Sequence, residues 1–344
     1  MRIHIAVAPC RTRMNPKRIL VVKLSSLGDL FHALPAVHTL KVRLDAEIDW
    51  ATQREYADLV RRFTDVSRVI VFPRRRIDGA WWTFLRDLRR FRYDTIVDLQ
   101  GLLKSAIVAR LARGPRRIGP SYHREGAQFF YTAVTAVRNP DRHAVEQALD
   151  IVDHLDLEPL PPVFPVTFPP RPLQQGAPPR VALFPASRWP SKCWPEDLAI
   201  AAGRILTRQH GVSLFLLGSK PDAPVCRRIE REIGPGVVNL AGTLSLVELG
   251  STLAGMGLVV SNDSGPMHMA AAIGTPVLAL FGPTDPRRTG PWGEGHRVLT
   301  GTFSCRPCRR RTCRFGSPAC MHEITPLRVV EAAVEMLGKK PAAG

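Results

Sequence analysis

Residues Leu258–Pro286 read LVVSNDSGPMHMAAAIGTPVLALFGPTDP. The apolar run Leu258–Ser261 predicts a buried strand, residues 262–265 a turn, and the alanine-rich run Met267–Ile273 a helix. Val277–Phe281 predicts a second strand, so the unit is strand, turn, helix, strand, which is typical of a parallel sheet. The turn leaves unpaired backbone N–H groups at the start of the helix, where an anion such as phosphate binds favourably.

The side chains around this turn fit an anion site. Asp263, Ser264 and His268 can add hydrogen bonds to those of the backbone. A simpler interpretation is that Asp263 or Ser264 only caps the helix. The residues alone leave both interpretations open.

Size and charge narrow the class of protein. The chain has 344 residues, which suits two domains that each bury a core, and 45% of its residues are hydrophobic. Its net charge of +18 indicates an anionic partner: a nucleic acid, a membrane surface or a phosphorylated substrate. No window approaches the roughly 18 continuous apolar residues of a membrane span. We therefore expect a cytoplasmic protein with peripheral contact with the membrane.

Prolines mark the boundary between the two expected domains. Nine of the 31 prolines lie in Pro159–Pro179, and because proline stiffens a connector we place the interdomain linker there. We expect residues 17–158 and 180–325 to form the two domains, and residues 326–344 to form a closing helix and tail.

The first 16 residues fit the first domain poorly. We interpret residues 1–16 as an extension that is not part of the native protein, with Met14 as the natural start. The alternative is a first strand at Ile3–Val7.

The first domain begins with the same layout of strand, polar turn and helix. Arg18–Lys23 predicts a buried strand, residues 24–29 a turn, and Leu30 the start of a helix that Pro35 bends. A turn with one glycine is not a dinucleotide-binding fingerprint. Further strands are predicted at 46–50, 69–72 and 93–99, and further helices at 55–63, 81–91 and 100–112.

The second domain begins with a strand at Arg180–Phe184. The loop after this strand carries hydrogen-bond donors and positive charge at Ser187, Arg188 and Lys192. Open α/β sheets bind ligands at the carboxyl ends of their strands, although Lys192 is also compatible with an ordinary exposed lysine. Asp222, beyond the predicted strand Val212–Leu217, is suitably placed for a carboxylate that contacts a ribose.

Basic residues are concentrated between Arg74 and Arg124, where 13 basic side chains stand against 4 acidic ones. Scattered arginines usually form a solvated surface. The concentration here favours a face that binds an anion.

Four motifs together resemble one family. They are D-S-G-x-x-H-x-A-A-A from Asp263 with F-G-P-T-D-P beyond it, K-x-S-S-x-G-D from Lys23, D-x-Q-G-x-x-K-S from Asp98, and W-P-S-K-x-W-P from Trp189. With these motifs the chain resembles the bacterial lipopolysaccharide heptosyltransferases, inverting glycosyltransferases of family 9. The resemblance implies an α/β fold of GT-B architecture, in which two Rossmann-like domains face a cleft. It also implies transfer of L-glycero-D-manno-heptose from ADP-heptose to the inner core of nascent lipopolysaccharide.

The resemblance also implies a role for each matching residue. Asp29 corresponds to the proposed catalytic base, a role that is compatible with helix capping by the same side chain. The implied donor site consists of Ser187, Arg188, Lys192, Asp222, Asp263, Ser264, Gly265 and His268. The implied acceptor site consists of Ser26, Arg74, Arg75, Gln100, Lys104 and Arg124. No metal cofactor is required for catalysis, since cations and a helix N-terminus serve the diphosphate.

Arg124-Glu125 and His143–Glu146 resemble the heptosyltransferase I branch, whose acceptor is an acidic sugar on lipid A, here Kdo-lipid A. The expected partners are therefore ADP-heptose, an anionic lipid A–core acceptor and the inner face of the cytoplasmic membrane, without nucleic acid. Three alternatives stay open: heptosyltransferase II or another family 9 transferase, a sugar-nucleotide epimerase of the same fold, and a nucleic-acid-binding protein. The basic face argues against the epimerase, and the donor motifs argue against nucleic-acid binding.

Four cysteines form a cluster: Cys305, Cys308, Cys313 and Cys320. Thiolates at such spacing can enclose a structural Zn²⁺ ion, and arginines between them would favour the thiolate form. Free or redox-active thiols are the alternative. A zinc knuckle that binds nucleic acid is a third interpretation, but only Phe303 and Phe315 are available to stack on bases.

Overall fold

The computed structural model describes residues 17–73, 79–169, 171–172, 176–177 and 179–338. The predicted extension 1–16, with its alternative strand, lies outside these residues, as do Arg74 and Arg75.

The first half of the chain forms a parallel six-stranded sheet in the order β3-β2-β1-β4-β5-β6. Its strands are β1 (Arg18–Val22), β2 (Glu47–Gln53), β3 (Val66–Phe72), β4 (Thr95–Asp98), β5 (Arg116–Gly119) and β6 (Ala133–Val134). Its helices are α1 (Leu27–His32), α2 (Leu34–Leu44), α3 (Ala57–Val60), α4 (Ala80–Leu88), α5 (Leu103–Leu111) and α6 (Ala144–His154). Short 3₁₀ turns lie at Arg54–Tyr56 and Ala127–Phe130.

The second half forms a second parallel sheet of six strands, in the order β12-β11-β10-β7-β8-β9. Its strands are β7 (Arg180–Phe184), β8 (Ser213–Leu216), β9 (Val237–Asn239), β10 (Leu258–Asn262), β11 (Val277–Phe281) and β12 (Arg297–Thr300). Its helices are α7 (Glu196–His210), α8 (Ala223–Ile233), α9 (Leu246–Ala254), α10 (Gly265–Ala272), α11 (Pro286–Thr289), α12 (Ala319–His322) and α13 (Pro326–Gly338). Short 3₁₀ turns lie at Pro190–Lys192 and Lys220–Asp222.

The central strands are apolar because helices cover both faces of each sheet. β10 and β11 are buried along their whole length, and four of the five residues of β1 are buried. β1 lies between β2 and β4, and β10 lies between β7 and β11. The functional turns therefore follow the middle strands of both sheets, where topology places ligands in open α/β folds. This confirms the predicted α/β architecture with two Rossmann-like halves.

The two halves share apolar packing. One cluster of buried residues includes Val21 and Trp50 from the first sheet together with Val259 and Phe281 from the second. The proline-rich stretch also touches both halves: Val166 forms an antiparallel bridge with Phe63, and Phe168 packs under α9. The exact domain boundaries stay predictions.

Several predicted boundaries shift. The first helix was predicted from Leu30, but α1 begins at Leu27, so Asp29 lies in its first turn. Pro35 lies in the first turn of a separate helix, α2, rather than bending one continuous helix. The helix predicted at 55–63 is a 3₁₀ turn followed by α3. Among the helices of the described residues, none combines the length and apolar character needed to cross a bilayer.

Candidate active site

The turn between β1 and α1 is held by hydrogen bonds to the segment that follows β4. Gln100 Oε1 accepts hydrogen bonds from the backbone N–H groups of Leu24 and Ser25, each at 3.1 Å. Lys23, just after β1, is buried and donates from Nζ to the carbonyl oxygen of Leu99 at 2.6 Å. Gln100, which was predicted to bind the acceptor, therefore uses its carbonyl oxygen to hold this turn.

Asp29 uses one carboxylate oxygen to cap its own helix. Its Oδ2 accepts hydrogen bonds from the backbone N–H of Ser26 at 2.9 Å and from the Ser26 hydroxyl at 2.7 Å. Ser26 is the N-cap of α1, so this pair fixes the carboxylate at the start of the helix. Oδ1 lies 4.0 Å from Nδ1 of His32, and the Asp29 side chain is 44% exposed. Capping therefore leaves part of this carboxylate open to the cleft.

The surroundings keep Asp29 ionised. Burial would raise the pKa of this carboxyl, but the Lys23 ammonium and the two hydrogen bonds from Ser26 outweigh that effect. The pKa of Asp29 therefore lies below its ordinary value. A partly exposed carboxylate of this kind can accept a proton from a substrate hydroxyl.

The turn after β10 holds its carboxylate in a different way. Asp263 is buried, and its Oδ2 accepts hydrogen bonds from Lys192 Nζ at 2.6 Å and from Thr284 Oγ1 at 2.7 Å. The Lys192 ammonium also lies 4.5 Å from the centroid of the Trp189 ring. Because the Lys192 side chain is only 15% exposed, its interpretation as an ordinary exposed lysine is wrong.

The N-terminus of α10 is available for an anion. Ser264 occupies the N-cap position, but its side chain makes no capping hydrogen bond; its hydroxyl lies 3.1 Å from that of Ser261. The first N–H groups of a helix have no partner within the helix. A phosphate placed at Ser264 and Gly265 would therefore meet backbone donors and the positive end of the helix dipole.

The other predicted donor residues lie on neighbouring loops. The Ser187 hydroxyl donates to the carbonyl oxygen of Asp263 at 3.5 Å. Arg188 is exposed and makes a side-chain hydrogen bond with Tyr56 from the other half of the molecule. Asp222 accepts hydrogen bonds at 2.8 Å and 2.6 Å from the backbone N–H and hydroxyl of the serine three positions before it. Ser187 thus joins the Asp263 turn, whereas Asp222 caps its own 3₁₀ turn.

Helices α1 and α10, one from each half, pack directly against each other. A Cβ atom on Gly28 would lie 2.4 Å from Cδ2 of His268, and one on Gly265 would lie 2.7 Å from Cβ of Leu27. Only glycine permits so close an approach at these two positions. The structure therefore brings the helix that carries Asp29 against the helix whose N-terminus can bind phosphate.

The predicted acceptor residues lie at the edge of the first half. Lys104 is exposed in the first turn of α5, and Arg124 is exposed in the loop after β5. The backbone N–H of Arg124 donates to the carbonyl oxygen of Gly101 at 2.8 Å, which ties that loop to the segment before α5. This contact brings two exposed cations close to the turn held by Gln100.

The four clustered cysteines line one small pocket together with Phe303 and Phe315. The loop that carries these cysteines is hydrogen-bonded to the predicted donor loops. Ser191 Oγ donates to the carbonyl oxygen of Arg310 at 2.6 Å, and the backbone N–H of Arg309 donates to the carbonyl oxygen of Pro283 at 2.8 Å. The two phenylalanine rings contact each other edge to face, with centroids 5.4 Å apart. The loop that carries the cysteine cluster therefore packs against the loops after β7 and β11.

The arrangement of the thiols in this pocket does not support the zinc hypothesis. The four thiols converge on the pocket, but in the described part of the chain no three Cys, His, Asp or Glu side chains are arranged to hold a metal ion. Burial raises the pKa of the Cys320 thiol, and the opposing effect of Arg306 does not outweigh it. The expectation that neighbouring arginines favour the thiolate is therefore wrong for Cys320.

Three partners in this site were missed from the sequence. Thr284 lies in the F-G-P-T-D-P segment, and its position after β11, at the same sheet edge as Asp263, was a usable signal. His32 follows Asp29 by three residues on α1, so the two share a helix face. His143 precedes α6 and lies edge to face with His32, with ring centroids 5.5 Å apart, which only the fold could reveal.

Comparison with known proteins agrees with this geometry. The chain is 32% identical to lipopolysaccharide heptosyltransferase 1 of Pseudomonas aeruginosa, over 93% of this chain and 98% of that protein. The solved structure of the E. coli heptosyltransferase WaaC with ADP superposes with a TM-score of 0.77 and 26% identity, covering 93% of this chain and 99% of that one. E. coli ADP-heptose LPS heptosyltransferase II gives a TM-score of 0.79 and 25% identity, covering 94% and 100%.

The family assignment rests on the length of the match as well as on similarity. Residues 81–318, more than half of the chain, match the model of glycosyltransferase family 9 (heptosyltransferase). The two parallel sheets also agree with the architecture of the solved heptosyltransferases. The chain is therefore a glycosyltransferase that belongs to family 9, the heptosyltransferases.

Proposed function

We propose that this protein transfers L-glycero-D-manno-heptose from ADP-heptose to the Kdo-lipid A inner core of nascent lipopolysaccharide, with inversion at the anomeric carbon. One observation carries the proposal: the ionised, partly exposed carboxylate of Asp29 lies on a helix that packs directly on α10, whose N-cap Ser264 makes no capping hydrogen bond through its side chain. A relative is named lipopolysaccharide heptosyltransferase 1, and WaaC was solved with ADP.

The chemistry requires a base on one side of the sugar and stabilised negative charge on the other. Asp29 takes the proton of the acceptor hydroxyl as the new C–O bond forms at C1 of the heptose. The bond from C1 to the diphosphate oxygen breaks at the same time, and ADP leaves with an added negative charge. Attack from the face opposite the leaving group gives inversion.

The donor half is built for the leaving diphosphate. Lys192 supplies a partly buried positive charge, and α10 supplies backbone N–H groups at its open end. Such groups are worth more in a partly desolvated cleft than in water, because the local dielectric is low. Ser187 and Arg188 lie on the loop that carries Lys192 and can add hydrogen bonds.

The acceptor side has the character of a lipid-binding face. Leu103 and Ile107 are exposed one turn apart on α5, and the adjoining 3₁₀ turn exposes 84% of Phe129. Exposed cations surround them at Lys104, Arg110, Arg113 and Arg124. Apolar side chains rimmed by basic ones suit the surface of an anionic bilayer. We therefore place the protein at the cytoplasmic face of the inner membrane, where a lipid A acceptor is available.

The deciding experiment offers the protein defined acceptors. Purified protein is incubated with ADP-heptose and either Kdo-lipid A or the same acceptor already carrying one heptose. Mass spectrometry detects added heptose, and NMR gives the anomeric configuration of the product and the identity of the remaining sugar nucleotide. We expect one heptose to be added to the first acceptor and ADP to be released. The anomeric configuration of the product should be opposite to that of the donor. Addition only to the second acceptor would identify a heptosyltransferase II. Modified ADP-heptose without transfer would indicate an epimerase.

A further inference from the structure

Three histidines meet at the contact between the two halves, and the proposed chemistry assigns no role to two of them. His32 Nε2 lies 3.0 Å from Nδ1 of His268, and the two rings meet edge to face with centroids 4.3 Å apart. His143 packs against the other side of His32. All three are buried. A hydrogen bond between imidazoles thus connects α1 with α10.

The second nitrogen of His32, Nδ1, has no hydrogen-bond partner among the residues that the structure describes. This atom is buried, and the side chain that carries it is only 8% exposed. Nδ1 lies 4.0 Å from Oδ1 of Asp29. Buried polar atoms nearly always have a partner, so this exception needs an explanation. Oδ1 is the carboxylate oxygen of Asp29 that does not accept the hydrogen bonds from Ser26.

The neighbours decide which nitrogens carry protons. Burial, His268, His143 and Lys23 hold the pKa of His32 well below its ordinary value, and burial lowers the pKa of His268 to about 4. Both rings are therefore neutral at pH 7, and each carries one N–H. If His268 donates from Nδ1, His32 accepts at Nε2 and must carry its own proton on Nδ1.

That arrangement is the favourable one beside an ionised Asp29. An N–H on Nδ1 of His32 is attracted to the carboxylate, whereas a lone pair there would be repelled by it. His143 is held differently: its Nδ1 accepts a hydrogen bond from the backbone of Val145 at 3.2 Å, so its proton is on Nε2, 3.1 Å from the carbonyl oxygen of Gly290.

We propose that His32 is a positioning residue that donates its Nδ1–H to Asp29, and that His268 holds it in the required tautomer from the donor half. Both side chains lie on α1, so a small side-chain rotation shortens the 4.0 Å separation to a hydrogen bond. Through its contact with His32, His268 on α10 links the donor half to the orientation of the base on α1. The inference rests on the proposed function, because it takes Asp29 as the base.

Two substitutions at His32 separate its two nitrogens. The side-chain amide of Asn reaches the place of Nδ1, where its N–H₂ group can donate, and that of Gln reaches the place of Nε2, where its oxygen can accept from His268. His32→Gln keeps a partner for His268 and loses the donor to Asp29, so kcat should fall about 10- to 100-fold, the range of one charge-assisted hydrogen bond. His32→Asn keeps a donor beside Asp29 and should retain at least five times the kcat of the Gln variant. ADP affinity should change less than threefold in both.

The pH profile gives a readout that a purely structural role would not move. Losing the Nδ1–H should raise the pKa of Asp29, so the acidic limb of kcat should move to higher pH in His32→Gln and stay in place in His32→Asn. The other charged or titratable groups that face Asp29 or His32 are Lys23, His143, His268 and Tyr122, and all are unchanged in both variants. Equal loss of kcat and an unmoved acidic limb in both variants would overturn the proposal.

Nitrogen NMR of the wild-type protein tests the tautomers directly. It requires neither enzyme turnover nor a variant that folds. With ¹⁵N-labelled histidine, we expect the proton on Nδ1 in His32 and His268 and on Nε2 in His143. A proton on Nε2 of His32 would refute the positioning role. If the wild-type enzyme transfers no heptose, the proposed function fails, while this measurement still decides whether His32 donates to Asp29.

Discussion

The turns after β1 and after β10 have the same layout and opposite electrostatics. In the first, Asp29 caps its own helix through Oδ2, and its side chain stays partly open to the cleft. In the second, Asp263 is buried and bound by Lys192 and Thr284, and the helix N-terminus has no side-chain cap. One carboxylate is thus ionised and partly exposed, whereas the other is buried and paired with an ammonium.

This difference teaches how one structural unit can serve both ends of a transfer reaction. A carboxylate in the first turn of a helix blocks anions there, so the first turn suits a base and not a phosphate. In the turn after β10, Asp263 precedes the N-cap of α10 and is paired with the Lys192 ammonium. Its charge therefore repels an anion at that helix end less strongly. The predictions below change each turn separately, beginning with the largest expected effect.

Asp29→Asn should lower kcat by about 10²–10⁴-fold, because the amide cannot take the acceptor proton. ADP affinity should stay within threefold, since a group that acts in the transition state contributes little to ground-state binding. Steady-state kinetics and calorimetry measure the two effects. Asp58→Asn, at an exposed carboxylate of the same half, is the control. Its kcat and its ADP affinity should equal those of the wild-type protein. Turnover within threefold of wild type would leave Asp29 with capping alone.

Acid should destabilise the contact between the two turns. The pKa of His268 is about 4 in the folded protein against about 6.5 when unfolded, so the unfolded chain binds more protons in between. The contribution of this histidine is complete above pH 6.5 and is lost as pH falls towards 4, on the order of 3 kcal/mol. Denaturant unfolding between pH 4 and pH 7 measures it. His268→Gln should flatten the dependence, and an unchanged slope would contradict the assignment.

Lys192→Ala should weaken ADP binding and turnover together, by about 10- to 100-fold, because its partner charge is already present in the ground state. It also leaves the Asp263 carboxylate without its cation, which would repel a diphosphate. Lys220→Ala, at an exposed lysine of the same half, is the matched control. Calorimetry with ADP decides: unchanged affinity in the Lys192 variant would exclude the diphosphate role.

Replacing Arg110, Arg113 and Arg124 by Gln should raise the acceptor KM several-fold and flatten its salt dependence, because exposed charges are screened. Donor KM should hardly move. The control changes three exposed arginines of the other half by the same charge: Arg208, Arg227 and Arg231. Kinetics with Kdo-lipid A at several salt concentrations, and flotation with anionic vesicles, measure the effect. Equal loss for donor and acceptor would remove the acceptor face from this surface.

The smallest effect on transfer is expected at the cysteine pocket, which adjoins the loop that carries Lys192. If the thiols bind Zn²⁺, about one equivalent should co-purify under reducing conditions, and a chelator should lower the melting temperature. Elemental analysis of freshly reduced protein checks this directly. Without metal, mild oxidation should instead form a disulfide within the pocket.

Local pattern was sufficient for much of the fold. The run from Leu258 to Phe281 was predicted almost residue for residue, because a buried parallel strand, a glycine-containing turn and an alanine-rich helix each have a strong local signature. The start of α1 was predicted too late, because Ser26 and Asp29 form a capping box across what looked like a polar turn. The candidate anion site at the turn after β10 was predicted from that turn for the same reason.

The sequence by itself predicted the two α/β halves and the candidate anion-binding turn, since each depends on residues close in the chain, and the resemblance to the heptosyltransferases supplied the candidate base. Tertiary structure alone decided how the carboxylates are used. Lys192 reaches Asp263 across 71 positions, Gln100 holds Ser25 across 75, and His32 meets His268 across 236. Whether a carboxylate is open or paired depends on the charges packed around it, and those charges come from strands and helices that only folding brings together.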